Sequence, residues 1–199
     1  MILKVCGITN QEDATAAVEG GATALGFNFY PRSPRYVTPG QAAGISTAPG
    51  VRRVGVFVDE APAHIEEIAR LARLDVAQLH GREQPDSYPG LAVWKAVRVD
   101  NTIDFSPYEA CPAEALLLDG PAAELYGGAG RAFDWRLARG LAKPIVLAGG
   151  LDASNVARAI DMAHPWGVDA CSRIESAPGK KDHQKMTEFL HAAEAALRA

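Results

Sequence analysis

Cysteine is scarce in this sequence: among 199 residues there are three, Cys6, Cys111 and Cys171. An odd number at unrelated spacings supplies neither a disulfide framework nor a zinc ligand set, suits a reducing compartment, and leaves each sulfur to be judged as a thiol. Cys111 and Cys171 read as structural. Long hydrophobic runs are missing too. No apolar stretch approaches the ~18–20 residues that a bilayer-crossing helix needs, and Met1-Ile2-Leu3-Lys4-Val5-Cys6 carries no basic region, long apolar stretch or cleavage site. A soluble, cytoplasmic protein without a membrane partner is expected. Nor is there an excess of basic charge: the net charge is -4 with signs mixed throughout. Without a basic stripe for counterion release to act on, nucleic acid is not the expected partner. An anionic ligand must then be held by local geometry. No linker or low-complexity tract interrupts the chain, and 48% hydrophobic content suits one core, so residues 1–199 are expected to form a single domain.

What is present is an alternation of short apolar runs and helical patterns, separated by turns rich in Gly, Pro and Asp. The apolar runs predict strands at Ile2–Cys6, Ala24–Asn28, Arg53–Val58, Asp75–Leu79, Val93–Val97, Ala115–Asp119, Pro144–Ala148 and Val168–Ser172. Helices are expected at Glu12–Glu19, Pro39–Thr47, Ala61–Leu74, Phe133–Arg139, Ser154–Ala163 and Asp182–Arg198, with short pieces near Gln84–Tyr88 and Ile103–Tyr108. Eight strands with a final helix predict an α/β fold of the (β/α)8 TIM-barrel type. The chain is short for that fold, so at least one helix should be reduced to loop. The segment Asp100–Pro112, with Pro107 and Pro112 and no clear apolar stripe, places the reduction between strands five and six.

Active sites in such barrels lie at the C-terminal strand ends, which here read Cys6, Asn28, Val58-Asp59, Gln78-Leu79-His80-Gly81, Arg98, Asp119, Gly149-Gly150 and Ser172-Arg173. Cys6 is a small buried hydrophobe on one reading; on the other it is a thiol at the barrel mouth that can ionise and act as a base. Asp119 follows three leucines, so a partly buried carboxyl with a raised pKa, able to donate a proton, is expected. One acid and one base suit a proton moved within one substrate, as in an isomerisation. Gly149-Gly150 follows a strand and precedes a helix pattern beginning at Asp152, which is either a tight turn or a phosphate cradle. Arg35, held by Pro31 and Pro34, could pair with a substrate carboxylate. His80 is either a substrate contact or a brace for the strand end. The glycine-rich loop Tyr126-Gly127-Gly128-Ala129-Gly130-Arg131-Ala132-Phe133-Asp134-Trp135 resembles a mobile lid more than a nucleotide fingerprint.

Several stretches in chain order carry a resemblance. Lys4-Val5-Cys6-Gly7-Ile8-Thr9-Asn10, Gly26-Phe27-Asn28-Phe29-Tyr30-Pro31-Arg32-Ser33-Pro34-Arg35-Tyr36, Val54-Gly55-Val56-Phe57-Val58, Gln78-Leu79-His80-Gly81, Gly127-Gly128-Ala129-Gly130-Arg131-Ala132-Phe133-Asp134-Trp135 and Leu147-Ala148-Gly149-Gly150-Leu151 resemble the phosphoribosylanthranilate isomerases of tryptophan biosynthesis. The resemblance implies a (β/α)8 barrel, monomeric or homodimeric, that performs an Amadori rearrangement on a small phosphorylated substrate without metal or organic cofactor. It implies Cys6 as general base, Asp119 as general acid and Arg35 as the partner of the anthranilate carboxylate. The related isomerase of histidine biosynthesis resembles a barrel with aspartate where this chain has Cys6. After the eighth strand many members read Ser-Ser-Gly-Val-Glu, where this chain reads Cys171-Ser172-Arg173-Ile174-Glu175. Arg173 either strains a glycine backbone position or keeps an ordinary backbone and adds a charged bond to phosphate near Ser172, Gly149 and Gly150. The second reading is favoured because Ile174–Gly179 keeps the rest of the loop recognisable.

Overall fold

The computed structural model describes residues 1–85, 88, 90–100, 102–120 and 134–198. Eight parallel strands close into a barrel in chain order: β1 (Ile2–Cys6), β2 (Ala24–Asn28), β3 (Arg52–Phe57), β4 (Val76–Leu79), β5 (Ala92–Arg98), β6 (Ala115–Asp119), β7 (Ile145–Ala148) and β8 (Gly167–Ala170). Around them lie α1 (Gln11–Glu19), α2 (Pro39–Gly44), α3 (Pro62–Ala72), α4 (Ser106–Ala110), α5 (Val156–Ala163) and α6 (His183–Arg198). The expected (β/α)8 barrel is the fold observed. Side chains pointing outward from the sheet, such as Leu3, Val5, Leu25, Phe27, Leu116 and Leu118, form one core with the helices. Ile2, Ala24, Val54, Val76, Trp94, Ala115 and Val146 form a second core inside the barrel.

The eighth strand ends at Ala170 rather than Ser172, because Ser172–Ile174 turn into a single 3₁₀ segment. A hairpin not expected from the sequence follows, β9 (Glu175–Ala177) against β10 (Lys180–Lys181). Its chain is tied back to α1 by the buried Asp13, whose carboxylate accepts from Lys181 N at 2.9 Å and meets His183 Nε2 at 2.8 Å. That tie sets where the final helix begins.

Among the described residues, helix reduction is not confined to the β5–β6 connection. The β5–β6 connection is not plain loop; it keeps the five-residue α4, in which Pro107 occupies the first turn, where a missing N–H costs nothing. Between β6 and β7 the described residues hold only a 3₁₀ turn, Trp135–Ala138. The short piece near Gln84–Tyr88 and the start of the helix expected at Phe133 fall partly outside the described residues. Asp152 does not open α5. Its carboxylate accepts from Ser154 N at 2.9 Å, an Asx turn that delays the helix to Val156.

Candidate active site

Alternation along the strands stacks inward-pointing side chains in layers. The lowest layer is apolar and is closed by Trp94, whose ring meets Trp166 edge-on at 5.9 Å. Above it the register pairs Lys4 with Asp169 across the β1–β8 seam, Nζ to Oδ1 at 2.9 Å, both buried. The uppermost layer carries Cys6, Asn28, His80, Arg98, Asp119 and Cys171, and these line a pocket of about 510 Å³ at the C-terminal strand ends. Gly149, Gly150, Ser172 and Arg173 line the same pocket. Val58, Asp59 and Gly81 do not, although the sequence grouped them with the strand ends. Asp59 turns aside with a φ of 51° and accepts from Arg82 N at 2.8 Å.

Cys6 is buried against the backbone of β2: a Cβ on Gly26 would stand 2.7 Å from its Sγ and 3.0 Å from Lys4 Nζ, so glycine is required there. The Cys6 thiol is held well below its ordinary range, chiefly by a hydrogen bond from Cys171 and then by Lys4, against burial that pushes it up. Asp119, largely buried, is pushed up by desolvation and by the nearby Cys6 charge, with Arg98 and Lys4 opposing. The same pocket therefore holds a thiol biased toward thiolate and a carboxyl biased toward its acid form. Burial raises Asp169 to about 7 despite Lys4. His80 is lowered by burial to about 4, so it is neutral at physiological pH, and its ring nitrogen meets Gln78 Nε2. It cannot bring a positive charge to the pocket.

The Arg35 guanidinium reaches the pocket rim and is held in a two-pronged pair by Glu175, Nε to Oε1 at 2.9 Å and Nη2 to Oε2 at 2.6 Å. Buried Lys181 binds the same carboxylate at 3.0 Å. Burial pushes Glu175 up, but Arg35 and Lys181 outweigh it and keep it an anion. At the opposite rim Gly149 and Gly150 have φ of 88° and 70°. Arg173 does not have a positive φ; it sits in the 3₁₀ turn and pairs with Asp152, Nε to Oδ2 at 2.5 Å. The strained-backbone reading of Arg173 therefore falls. The diglycine turn and the 3₁₀ turn face one cavity and offer backbone N–H groups and a guanidinium, the chemistry of an anion cradle.

The sequence placed Cys6, Asp119, Arg35, His80, Gly149, Gly150, Ser172 and Arg173 at the barrel mouth, and all eight line the pocket. Lys4 and Asp169 went unassigned, Gln78 was placed at a strand end without a role and Cys171 was read as structural, although all four line the pocket or underlie it. Strand alternation counted back from Cys6 would have found Lys4. Of the glycine-rich loop expected as a lid, residues 126–133 lie outside the described residues, while Asp134 caps the 3₁₀ turn that Trp135 opens. Among the described residues no helix is long and apolar enough to cross a membrane, and no three or more His, Cys, Asp or Glu side chains form a metal-binding group.

Comparison with known proteins agrees with this geometry. The family model described as N-(5′-phosphoribosyl)anthranilate (PRA) isomerase matches residues 3–192. A relative from Solibacter usitatus named N-(5′-phosphoribosyl)anthranilate isomerase is 72% identical over 200 residues, covering 100% of each chain. The crystal structure of phosphoribosyl anthranilate isomerase from Thermotoga maritima is similar at a TM-score of 0.88 and 43% identity, over 98% of this chain and 100% of that one. A crystal structure of such an isomerase in complex with reduced 1-(o-carboxyphenylamino)-1-deoxyribulose 5-phosphate matches at a TM-score of 0.86 and 40% identity, over 98% and 100%.

Proposed function

The chain belongs to the N-(5′-phosphoribosyl)anthranilate isomerase family, and we propose that it carries out that isomerisation with Cys6 as general base and Asp119 as general acid. The reaction is an Amadori rearrangement in tryptophan biosynthesis. Asp119, biased toward its acid form by its surroundings, gives its proton to the ribose ring oxygen. The C1′–O bond breaks as the anthranilate nitrogen supplies its lone pair, leaving an open-chain iminium. Cys6 as thiolate then takes the C2′ proton; the C–H electrons form a C1′=C2′ bond and the iminium electrons return to nitrogen. The resulting enolamine moves its hydroxyl proton to C1′ and becomes the ketone. No electrons leave the substrate, so no redox partner is needed.

The observation that carries this assignment is the opposite bias of two groups on one pocket: a thiol held low by Cys171 and Lys4, and a carboxyl held high by burial. Arg35, fixed in orientation by Glu175, is the partner for the anthranilate carboxylate. Gly149, Gly150, Ser172 and Arg173 form the phosphate cradle. His80, neutral and bonded to Gln78, serves as a polar wall.

Turnover of N-(5′-phosphoribosyl)anthranilate, followed as loss of anthranilate fluorescence, tests the reading. Cys6→Ala and Asp119→Asn should each lower kcat by about 10²–10⁴-fold while substrate still binds. Turnover at the wild-type rate in either variant would remove that residue from its role.

A further inference from the structure

Cys171 reads as structural in the sequence, and the steps above do not use it. Its place in the barrel is not that of a packing residue. β1 and β8 are hydrogen-bonded neighbours with Ile2 opposite Gly167, Lys4 opposite Asp169 and Val5 opposite Ala170. Past the last paired residues of the seam, Val5 and Ala170, the two chains continue into Cys6 and Cys171, and both line the pocket. The Cys171 sulfur lies over Gly7, where a Cβ would stand 3.1 Å from it, and Lys181 Nζ approaches it at 4.0 Å. The same ammonium is fixed by Cys171 O at 3.3 Å and Glu175 Oε1 at 3.0 Å.

We propose that Cys171 is a positioning residue for the catalytic base: its S–H donates to Cys6 Sγ and holds that sulfur aimed into the pocket, with Lys181 anchoring Cys171 from behind. The inference rests on Cys6 being the base. Besides Cys171, the groups that bear on Cys6 are Lys4 from β1, Asp169 from β8, Lys181 from β10, Asp119 from β6, His80 after β4 and Arg35 after β2. Three of these are cations, yet the contact with Cys171 is the largest influence lowering the Cys6 thiol, and the Cys171 thiol is correspondingly held up.

The test is the rate of Cys6 alkylation by iodoacetamide across the pH range in reduced wild type, Cys171→Ala and Cys171→Ser, with peptide mass separating Cys6 from Cys111 and Cys171. In Cys171→Ala the pH midpoint of Cys6 alkylation should move up by about one unit, and the acidic limb of kcat/KM should move with it. Cys171→Ser, which exchanges one donor atom for another, should bring both back toward wild type, and it keeps the comparison available if the alanine protein is unstable. An unmoved midpoint in Cys171→Ala, or a serine variant no closer to wild type than alanine, would overturn the inference. The base assignment fails differently, by turnover that survives Cys6→Ala, and that outcome leaves the alkylation midpoints readable.

Discussion

Two adjacent glycines at the pocket rim show how unequal neighbouring residues can be. A Cβ on Gly149 would stand 2.6 Å from Gly120 N and 2.8 Å from Gly120 O, both backbone atoms that cannot swing aside. A Cβ on Gly150 would meet only Arg173 Cδ, at 3.7 Å. Both have positive φ, so alanine at either is strained, but only Gly149 adds a clash. Gly150→Ala should therefore cost about 1–2 kcal/mol in urea unfolding. Gly149→Ala should cost clearly more and also raise KM, because relief of the clash displaces the cradle. Equal unfolding midpoints for the two variants would contradict the geometry. The pair was visible in the sequence as a strand followed by Gly-Gly, yet nothing there distinguished the two, since the difference lies in where residue 120 passes.

Among the elements, the seam between β1 and β8 closes the barrel, and it is bridged by the buried pair of Lys4 and Asp169. Burial of one charge without the other is costly, whereas removing both from a well-packed interior often is not. Lys4→Met should destabilise by about 3–5 kcal/mol in chemical unfolding, and Lys4→Met with Asp169→Leu should recover much of that loss. If the double variant is no more stable than the single, the pair is not the source of the cost. Ile2-Leu3-Lys4-Val5-Cys6 was legible as a strand because only its apolar majority matters for that. Its lysine was not legible as an interior cation, because the matching carboxylate lies 165 residues further along the chain.

For the molecule as a whole, His80 gives acid stability a measurable component. Burial lowers its folded pKa to about 4 from an ordinary 6.5. Below 6.5 the unfolded chain takes up a proton that the native site refuses, so unfolding is favoured as pH falls. The contribution of His80 is fully present above pH 6.5 and is lost between there and about pH 4, a swing of roughly 3 kcal/mol. Wild type should therefore lose stability relative to His80→Gln across that window and run parallel to it above. Chemical unfolding midpoints of the two proteins over the same pH values check this; a constant offset at every pH would show that His80 binds its proton equally well in the native and unfolded states. Asp169, raised to about 7, acts with the opposite sign over much of the same range. Subtracting one protein's curve from the other's removes it.

The sequence by itself determined the architecture and singled out the residues proposed to react. Alternating apolar runs and turns are local signals, and a strand that must bury both faces announces itself in a few residues whatever its partners are. Cys6 and Asp119 stood out because each ends such a run, and the barrel turns every run's end toward one face. Only the tertiary structure decided what bears on them. Lys4, Asp169, Cys171 and Lys181 come together because the last strand returns to the first, and the energies that bias a thiol and a carboxyl depend on distance through space. The state of Arg173 was settled in the same way: its backbone is ordinary and its guanidinium is already paired, facts fixed by where Asp152 folds back.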